Sequence, residues 1–314
     1  MANCFSFTSS RDRCFRYSFT YAGLKSSTTD LKDGTFIHCW VPKKPRNHKP
    51  NLVLIHGIGA NAMWQWNDFL SPLSSKFNIY VPDLVFFGES YTSRSERSEA
   101  FQAQCLVKAL EGFGVKKMSV VGLSYGGFVA YSMAAQFGEC VERVVIGCAG
   151  VCVEEKDVEN GLFEVDCLEE AIEILLPQKP ERLRELMKLS FYKPPKNLPS
   201  CFLSDFINVM CTEYLQERQE LIIGLHKDRK LSNLPKITQP TLIIWGDKDR
   251  IFPPELAHRL KRHLGENAQL VLIENAGHAI NLEKPKIMYK HLKSFLIDPL
   301  PHKVESDSIG SKED

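Results

Sequence analysis

Apolar residues along this chain fall into two alternating textures, and the alternation predicts the fold. Short continuous apolar runs at residues 52–55, 77–81, 118–121, 141–148, 241–245 and 269–273 have the character of strands buried on both faces. Between them, at residues 63–75, 96–112, 128–137, 254–264 and 286–296, apolar side chains recur at helical intervals. Repeated strand-then-helix units imply an α/β class with a mostly parallel central sheet flanked by helices. Ahead of the first buried run, residues 26–40 read as a hairpin turning at Asp33-Gly34. Residues 11–24 suit either a short docking helix or an arm.

After Gly150 the strand-like runs stop. Residues 151–235 carry amphipathic helical segments at 168–176, 181–191, 200–215 and 218–225, punctuated by Pro177, Pro180, Pro194, Pro195 and Pro199. This texture predicts an inserted helical cap. The expected organisation is an N-terminal arm (1–25), a first core part (26–150), the cap (151–235), a second core part (236–298) and a disordered tail (299–314). Within the cap, Phe163, Leu168, Ile172, Leu175, Phe191, Phe202, Phe206 and Met210 are expected to roof an apolar pocket.

Composition narrows the class further. The 314 residues are 44% hydrophobic and 25% charged, the balance of an ordinary globular protein. A formal net charge of +1 offers no electrostatic capture of nucleic acid. No apolar run approaches the length of a membrane-spanning helix, and the N-terminus lacks the apolar region of a secretory signal. The ten cysteines form no C-x-x-C pair and the chain has no N-x-[ST] sequon, so buried free thiols in the cytosol are the expectation. No metal-ligand spacing and no nucleotide-binding glycine loop is present, so no cofactor is expected.

Candidate chemistry sits where the strands end. Gly122-Leu123-Ser124-Tyr125-Gly126-Gly127 follows a β-branched run and opens a small-residue helical pattern, the setting in which G-x-S-x-G makes a nucleophile elbow. Gly122 and Gly126 stand where strand and helix must approach closely, because glycine has no Cβ to clash. The Tyr125 N–H falls at a helix N-terminus, where it can donate to an anion. Asp249 follows the strand at 241–245, and His278 follows the strand at 269–273. A serine hydroxyl needs a base to become a nucleophile, imidazole suits that task, and a carboxylate holds the imidazole tautomer.

Asp247 is the rival to Asp249 for the acid. Gly246 permits a tight turn, after which the later position reaches sideways toward His278, so Asp249 is the choice. Asp247 is expected to bond N–H groups of its own turn, and Asp83 to order the turn after its strand. Of the nine histidines, His38, His48, His226, His258, His263, His291 and His302 lie in surface-like or helical contexts and read as structural. His56 reads as a structural hydrogen-bonder. Trp64, Trp66, Phe86 and Phe87 are core or pocket wall.

Together, His56-Gly57-Ile58-Gly59, Pro82-Asp83-Leu84 with Gly88-Glu89-Ser90, the elbow, residues 245–253 and Gly277-His278 resemble the α/β-hydrolase superfamily. The nearest likeness is to plant monoacylglycerol-lipase-like and epoxide-hydrolase-like members with a helical cap. The resemblance implies a triad of Ser124, Asp249 and His278, and an oxyanion hole formed by the N–H groups of Ile58 and Tyr125. His56, Gly57, Gly59, Gly122 and Gly126 are then structural motif residues. A serine nucleophile argues against epoxide opening, and the loop at His56 departs from the HGGG type. The function expected is serine-hydrolase cleavage of a carboxylic ester with a hydrophobic acyl or alcohol group, through an acyl-enzyme on Ser124. The alternative is a ligand-sensing receptor on the same fold, with slow or vestigial hydrolysis, that binds a partner protein.

Overall fold

A computed structural model describes residues 6–297 apart from Gly161, Asp166 and Asp228. The expected tail at 299–314 and His302 lie outside the described residues. The strands in chain order are β1 (Leu24–Asp30), β2 (Thr35–Pro42), β3 (Asn51–Ile55), β4 (Asn78–Pro82) and the two-residue β5 (Tyr91–Thr92). They continue with β6 (Met118–Leu123), β7 (Val141–Gly147), β8 (Thr241–Gly246) and β9 (Ala268–Ile273). One sheet holds them in the order β1-β2-β4-β3-β6-β7-β8-β9, with β5 pairing β2. From β4 through β3 to β9 every pairing is parallel; β1, β2 and β5 add antiparallel partners at the other end.

The core helices are α1 (Phe7–Tyr21), α2 (Ala62–Ser74), α3 (Glu99–Gly112) and α4 (Tyr125–Gln136). Side-chain caps fix where three of them start: Ser6 accepts from Ser9 N at 3.0 Å, Asn61 from Trp64 N at 3.1 Å, and Ser98 from Phe101 N at 3.1 Å. The Ser98 cap begins α3 three residues later than the periodicity suggests. Between β7 and β8 the described residues contain α5 (Lys156–Glu159), α6 (Leu168–Leu175), α7 (Pro180–Ser190), α8 (Ser200–Met210) and α9 (Leu215–His226), with no strand. The chain closes with α10 (Pro254–Leu264), α11 (Ile280–Glu283) and α12 (Pro285–Ile297).

Strand order determines which loops meet. β3 lies directly beside β6, pairing Ile55 with Gly122, so the loop after His56 emerges next to Ser124. β8 lies beside β9, pairing Gly246 with Ile273, so the loops carrying Asp249 and His278 emerge together. All of these loops leave the carboxyl ends of parallel strands, where ligands bind in such sheets.

One histidine departs from its sequence expectation. His38 sits on β2, which is internal between β1 and β4, and only 1% of it is exposed. Its Nδ1 lies 2.8 Å from Asp83 Oδ2 and its Nε2 lies 2.9 Å from Ser26 Oγ. Asp83 also accepts from Ala62 N at 3.1 Å, so it ties the β4 loop to the start of α2. Burial by itself would raise the Asp83 carboxyl, but the His38 hydrogen bond and charge outweigh it and hold it below the ordinary carboxylate value. Phe86 and Phe87 are 1% exposed and Trp66 is fully covered, which makes all three core residues.

His56 fastens the β3 loop to the β4 loop. Its Nδ1 lies 2.7 Å from the Gly57 carbonyl and its Nε2 accepts from Leu84 N at 3.0 Å, a pattern that requires the neutral ring. Burial pushes its pKa below the ordinary histidine value. Above about pH 6.5 folded and unfolded His56 are both neutral; below it the unfolded state takes a proton that the fold refuses, so stability is lost as pH falls. In denaturant melts between pH 7.5 and 5.5, His56→Phe should show a shallower pH slope than the parent. It should also cost about 1–3 kcal/mol at pH 7.5, because Leu84 N is left unpaired. Equal slopes would contradict this role.

Candidate active site

The sharpest feature of the backbone is the passage from β6 to α4. Ser124 adopts φ 54° and ψ −126°, in the left-handed region that non-glycine residues avoid. Its N–H donates to the Gly147 carbonyl at 2.8 Å and its own carbonyl accepts from Gly127 N at 2.8 Å, which pins both sides of the strained residue. A Cβ on Gly122 would lie 2.0 Å from the Gly126 carbonyl oxygen, and one on Gly126 would lie 2.4 Å from the Ile55 carbonyl oxygen. Strand and helix therefore touch backbone to backbone at these two glycines.

Three residues remote in sequence meet above that turn. His278 Nε2 lies 2.9 Å from Ser124 Oγ, and His278 Nδ1 lies 2.9 Å from Asp249 Oδ2. The second Asp249 oxygen accepts from Ile251 N and Phe252 N, both at 2.9 Å. Asp249 is 3% exposed, so these N–H groups replace the water that a buried carboxylate has lost. Trp245 Nε1 donates to the Phe252 carbonyl at 2.9 Å and closes the same turn.

The structure reverses one expectation about the two aspartates. The bonds within the turn are made by Asp249, whereas Asp247 Oδ1 accepts from Ala276 N, 3.3 Å away on the loop that carries His278. The reason lies in how closely the loops pack: a Cβ on Gly246 would sit 2.2 Å from the Gly277 carbonyl oxygen. With the two backbones in contact, the earlier aspartate faces the neighbouring loop and the later one curls back toward the imidazole.

The loop after β3 comes equally close. A Cβ on Gly57 would lie 2.9 Å from the Ser124 Cβ, while Gly57 N donates to Gln65 Oε1 at 2.9 Å. The N–H groups of Ile58 and Tyr125 donate to no acceptor among the described residues, and both residues line the cavity that Ser124 faces. His56 makes no bond to Ser124. Gly59 has open space where a Cβ would stand, so no close contact requires glycine there.

That cavity has a volume of about 890 Å³, near the top of the range of about 300–1,000 Å³ that holds a drug-sized ligand. It runs between the ends of the sheet and helices α6 to α9. Every cap residue singled out from the sequence lines it except Ile172, whose neighbour Ile174 takes that place on α6. Trp64 lines it as well.

Sequence reasoning missed three groups. Gln65 reads as one more polar position on α2, and nothing local marks it as the acceptor for Gly57 N. Glu283 accepts from Gly277 N at 2.7 Å and from Tyr192 N and Lys193 N at 3.1 Å each, tying the His278 loop to the segment after α7. Cys148 takes φ 46° at the end of β7, and its sulfur lies within 4.8 Å of donor atoms of Asp249 and His278. These are the groups nearest to a metal-ligand set among the described residues, but the carboxylate and imidazole already bond to each other. Burial, with the Asp249 charge beside it, pushes the Cys148 thiol far above its ordinary pKa, so it stands as a neutral S–H.

Comparison with known proteins identifies the family. The chain is 27% identical over 273 residues to the monoacylglycerol lipase ABHD6 of Bos taurus, covering 82% of this chain and 78% of that one. It is 26% identical over 261 residues to Lipase 3 of Moraxella sp. (strain TA144), covering 78% and 76%. Among solved structures, a lipase candidate (lip1) from Acinetobacter baumannii AYE superposes with a TM-score of 0.76 at 25% identity, over 94% of this chain and 97% of that one. A membrane phospholipase A superposes with a TM-score of 0.68 at 26% identity, over 92% and 89%. The model of the alpha/beta hydrolase family matches residues 52–290, most of the chain and every loop described above, and the protein belongs to that family.

Proposed function

We propose that this protein is a serine hydrolase that cleaves carboxylic esters bearing a hydrophobic acyl or alcohol group. The observation that carries the reading is the hydrogen-bonded series Ser124–His278–Asp249 opening into a large apolar cavity. Ser124 Oγ attacks the ester carbonyl while His278 Nε2 takes its proton. Asp249 holds the imidazole through Nδ1 and stabilises the imidazolium that forms. Charge developing on the carbonyl oxygen is met by the N–H groups of Ile58 and Tyr125, each worth about 3 kcal/mol in comparable sites. His278 then returns the proton to the departing alcohol, and water, activated by the same imidazole, hydrolyses the acyl-enzyme.

Helices α5 to α9 act in this reading as a cap over the carboxyl ends of the strands, and residues 151–235 form its boundaries. Burying an apolar chain there favours binding by about 0.8 kcal/mol per methylene, so medium or long chains should outcompete short ones. The names of the relatives, a monoacylglycerol lipase and other lipases, support an acyl ester substrate. Free cysteines among the described residues suit residence in the cytosol.

A fluorophosphonate probe should label the parent protein and leave Ser124→Ala unlabelled, with that variant keeping the parent's melting temperature and losing turnover of p-nitrophenyl esters. Labelling of another residue, or turnover in Ser124→Ala, would sink the assignment of the nucleophile. The acid is tested separately. Asp249→Asn should lower kcat on the order of 10⁴-fold, since an amide selects the wrong imidazole tautomer. Asp247→Ala should keep kcat within tenfold and cost about 1 kcal/mol of stability through the lost bond to Ala276 N. The opposite pattern in steady-state kinetics would exchange their roles.

A further inference from the structure

Helix α1 precedes the residues matched by the family model, yet it is built into the wall of the cavity. Ser6 caps it by accepting from Ser9 N at 3.0 Å, and Phe15 and Phe19 supply its buried face. Phe19 packs on Trp40 of β2, with ring centroids 5.1 Å apart, and so anchors the helix to the sheet. Phe15 meets Trp64 of α2 edge-on at 5.3 Å, and Trp64 in turn meets Phe206 of α8 at 5.6 Å. Phe7 meets Phe202 of α8 edge-on at 5.5 Å. The helix thus lies between the core and the helical segment and touches both.

Its polar groups orient that wall. Thr8 N donates to Asp205 Oδ2 of α8 at 2.7 Å. Asp12 Oδ1 accepts from Trp64 Nε1 and from Asn61 Nδ2, both at 3.2 Å. The indole N–H is therefore directed to Asp12 of α1, leaving an apolar ring to line the cavity. Trp64 also immediately precedes Gln65, the acceptor for Gly57 N, so the same turn of α2 serves the catalytic loop and this end of the cavity. Phe7, Thr8, Arg11 and Phe15 all line the cavity.

We propose that α1 forms the end wall of the substrate cavity and determines the length of apolar chain it accepts, with Asp12 as the positioning residue that orients Trp64. The proposal rests on the ester-hydrolase reading and adds to it the elements that read the chain. Phe15→Ala removes the ring behind Trp64 and deepens the cavity, while Phe7→Ala opens its rim beside Phe202. Each methylene that gains or loses its contact changes kcat/KM roughly fourfold.

The test uses full-length protein and two ester series, one graded in the acyl chain and one in the alcohol chain. In Phe15→Ala the preferred length should move toward longer chains in one series, with the long-to-short ratio of kcat/KM changing at least tenfold, chiefly through KM. Asp12→Ala should lower that same ratio, and Asp12→Asn, whose side-chain carbonyl still accepts from the indole, should restore most of it. A purely structural helix would instead lower every ester in parallel and slow fluorophosphonate labelling to the same extent; that outcome, or unchanged ratios in both series, overturns the proposal. Binding of a fluorescent long-chain fatty acid to Ser124→Ala separates the two readings. If the parent cleaves no ester but the probe binds and is weakened at least fivefold by Asp12→Ala, the esterase reading fails while the wall stands. Equal binding by both proteins, or no binding to either, refutes the wall.

Discussion

The structure depends on a strained serine. Holding Ser124 at a positive φ costs on the order of 1–3 kcal/mol, and such a conformation persists only where its surroundings over-determine it. Here the surroundings are the sheet and the helix pressed together at Gly122 and Gly126. A side chain at Gly122 would force β6 and α4 apart, and one at Gly126 would push α4 off the end of β3, so either would let the turn relax. The same contact sets Gly126 against the Ile55 and His56 carbonyls, which brings the β3 loop over the serine. One steric constraint therefore sets the turn that carries the serine hydroxyl beside the loop that carries Ile58.

The acid and the imidazole are held by backbone rather than by packing alone. Asp249 is kept in place by two N–H donors on one oxygen and by His278 on the other, so its carboxylate has little freedom to turn. In the proposed reaction, donors fixed in advance would need no reorganisation as charge develops. Asp247 and Glu283 hold the histidine loop from either side, one reaching from the β8 loop and the other from α11. Glu283 also bonds the backbone after α7, so the helical segment and the histidine loop share a support.

The cavity draws on parts of the chain that are far apart in sequence. Its lining residues come from the loops at strand ends, from α6 to α9 and from α1. The wall is mostly apolar and aromatic, with Arg11, Asp68, Glu164, Arg218 and Arg250 among the charged residues that also line it. In the proposed reaction the two tasks are separate: apolar burial would hold a chain without directional demands, and the oriented donors and acceptors at Ser124, Asp249 and His278 would handle the reacting atoms.

Much of this was legible in the sequence because local chemistry is severe at a few points. Only glycine tolerates the contacts at 122 and 126, continuous apolar runs report strands buried on both faces, and the order serine, aspartate, histidine followed from which loops end those strands. The amphipathic segments between residues 151 and 235 likewise announced helices over an apolar space. What the sequence could not supply was long-range proximity. His38 reads as an ordinary polar residue on a hairpin, and becomes buried only because β2 finds β4 on its far side. Asp247 and Asp249 are nearly equivalent in a linear chain; the contact of Gly246 with Gly277 turns them in different directions. Residues 11–24 fit an arm as well as a helix when taken alone, since the stability of α1 comes from Trp40, Trp64 and α8, all distant in sequence. Gln65 becomes important solely because α2 returns beneath the β3 loop. Periodicity and backbone sterics act over a few residues and are readable in order, whereas partners brought together by strand order and helix packing exist only once the sheet has formed.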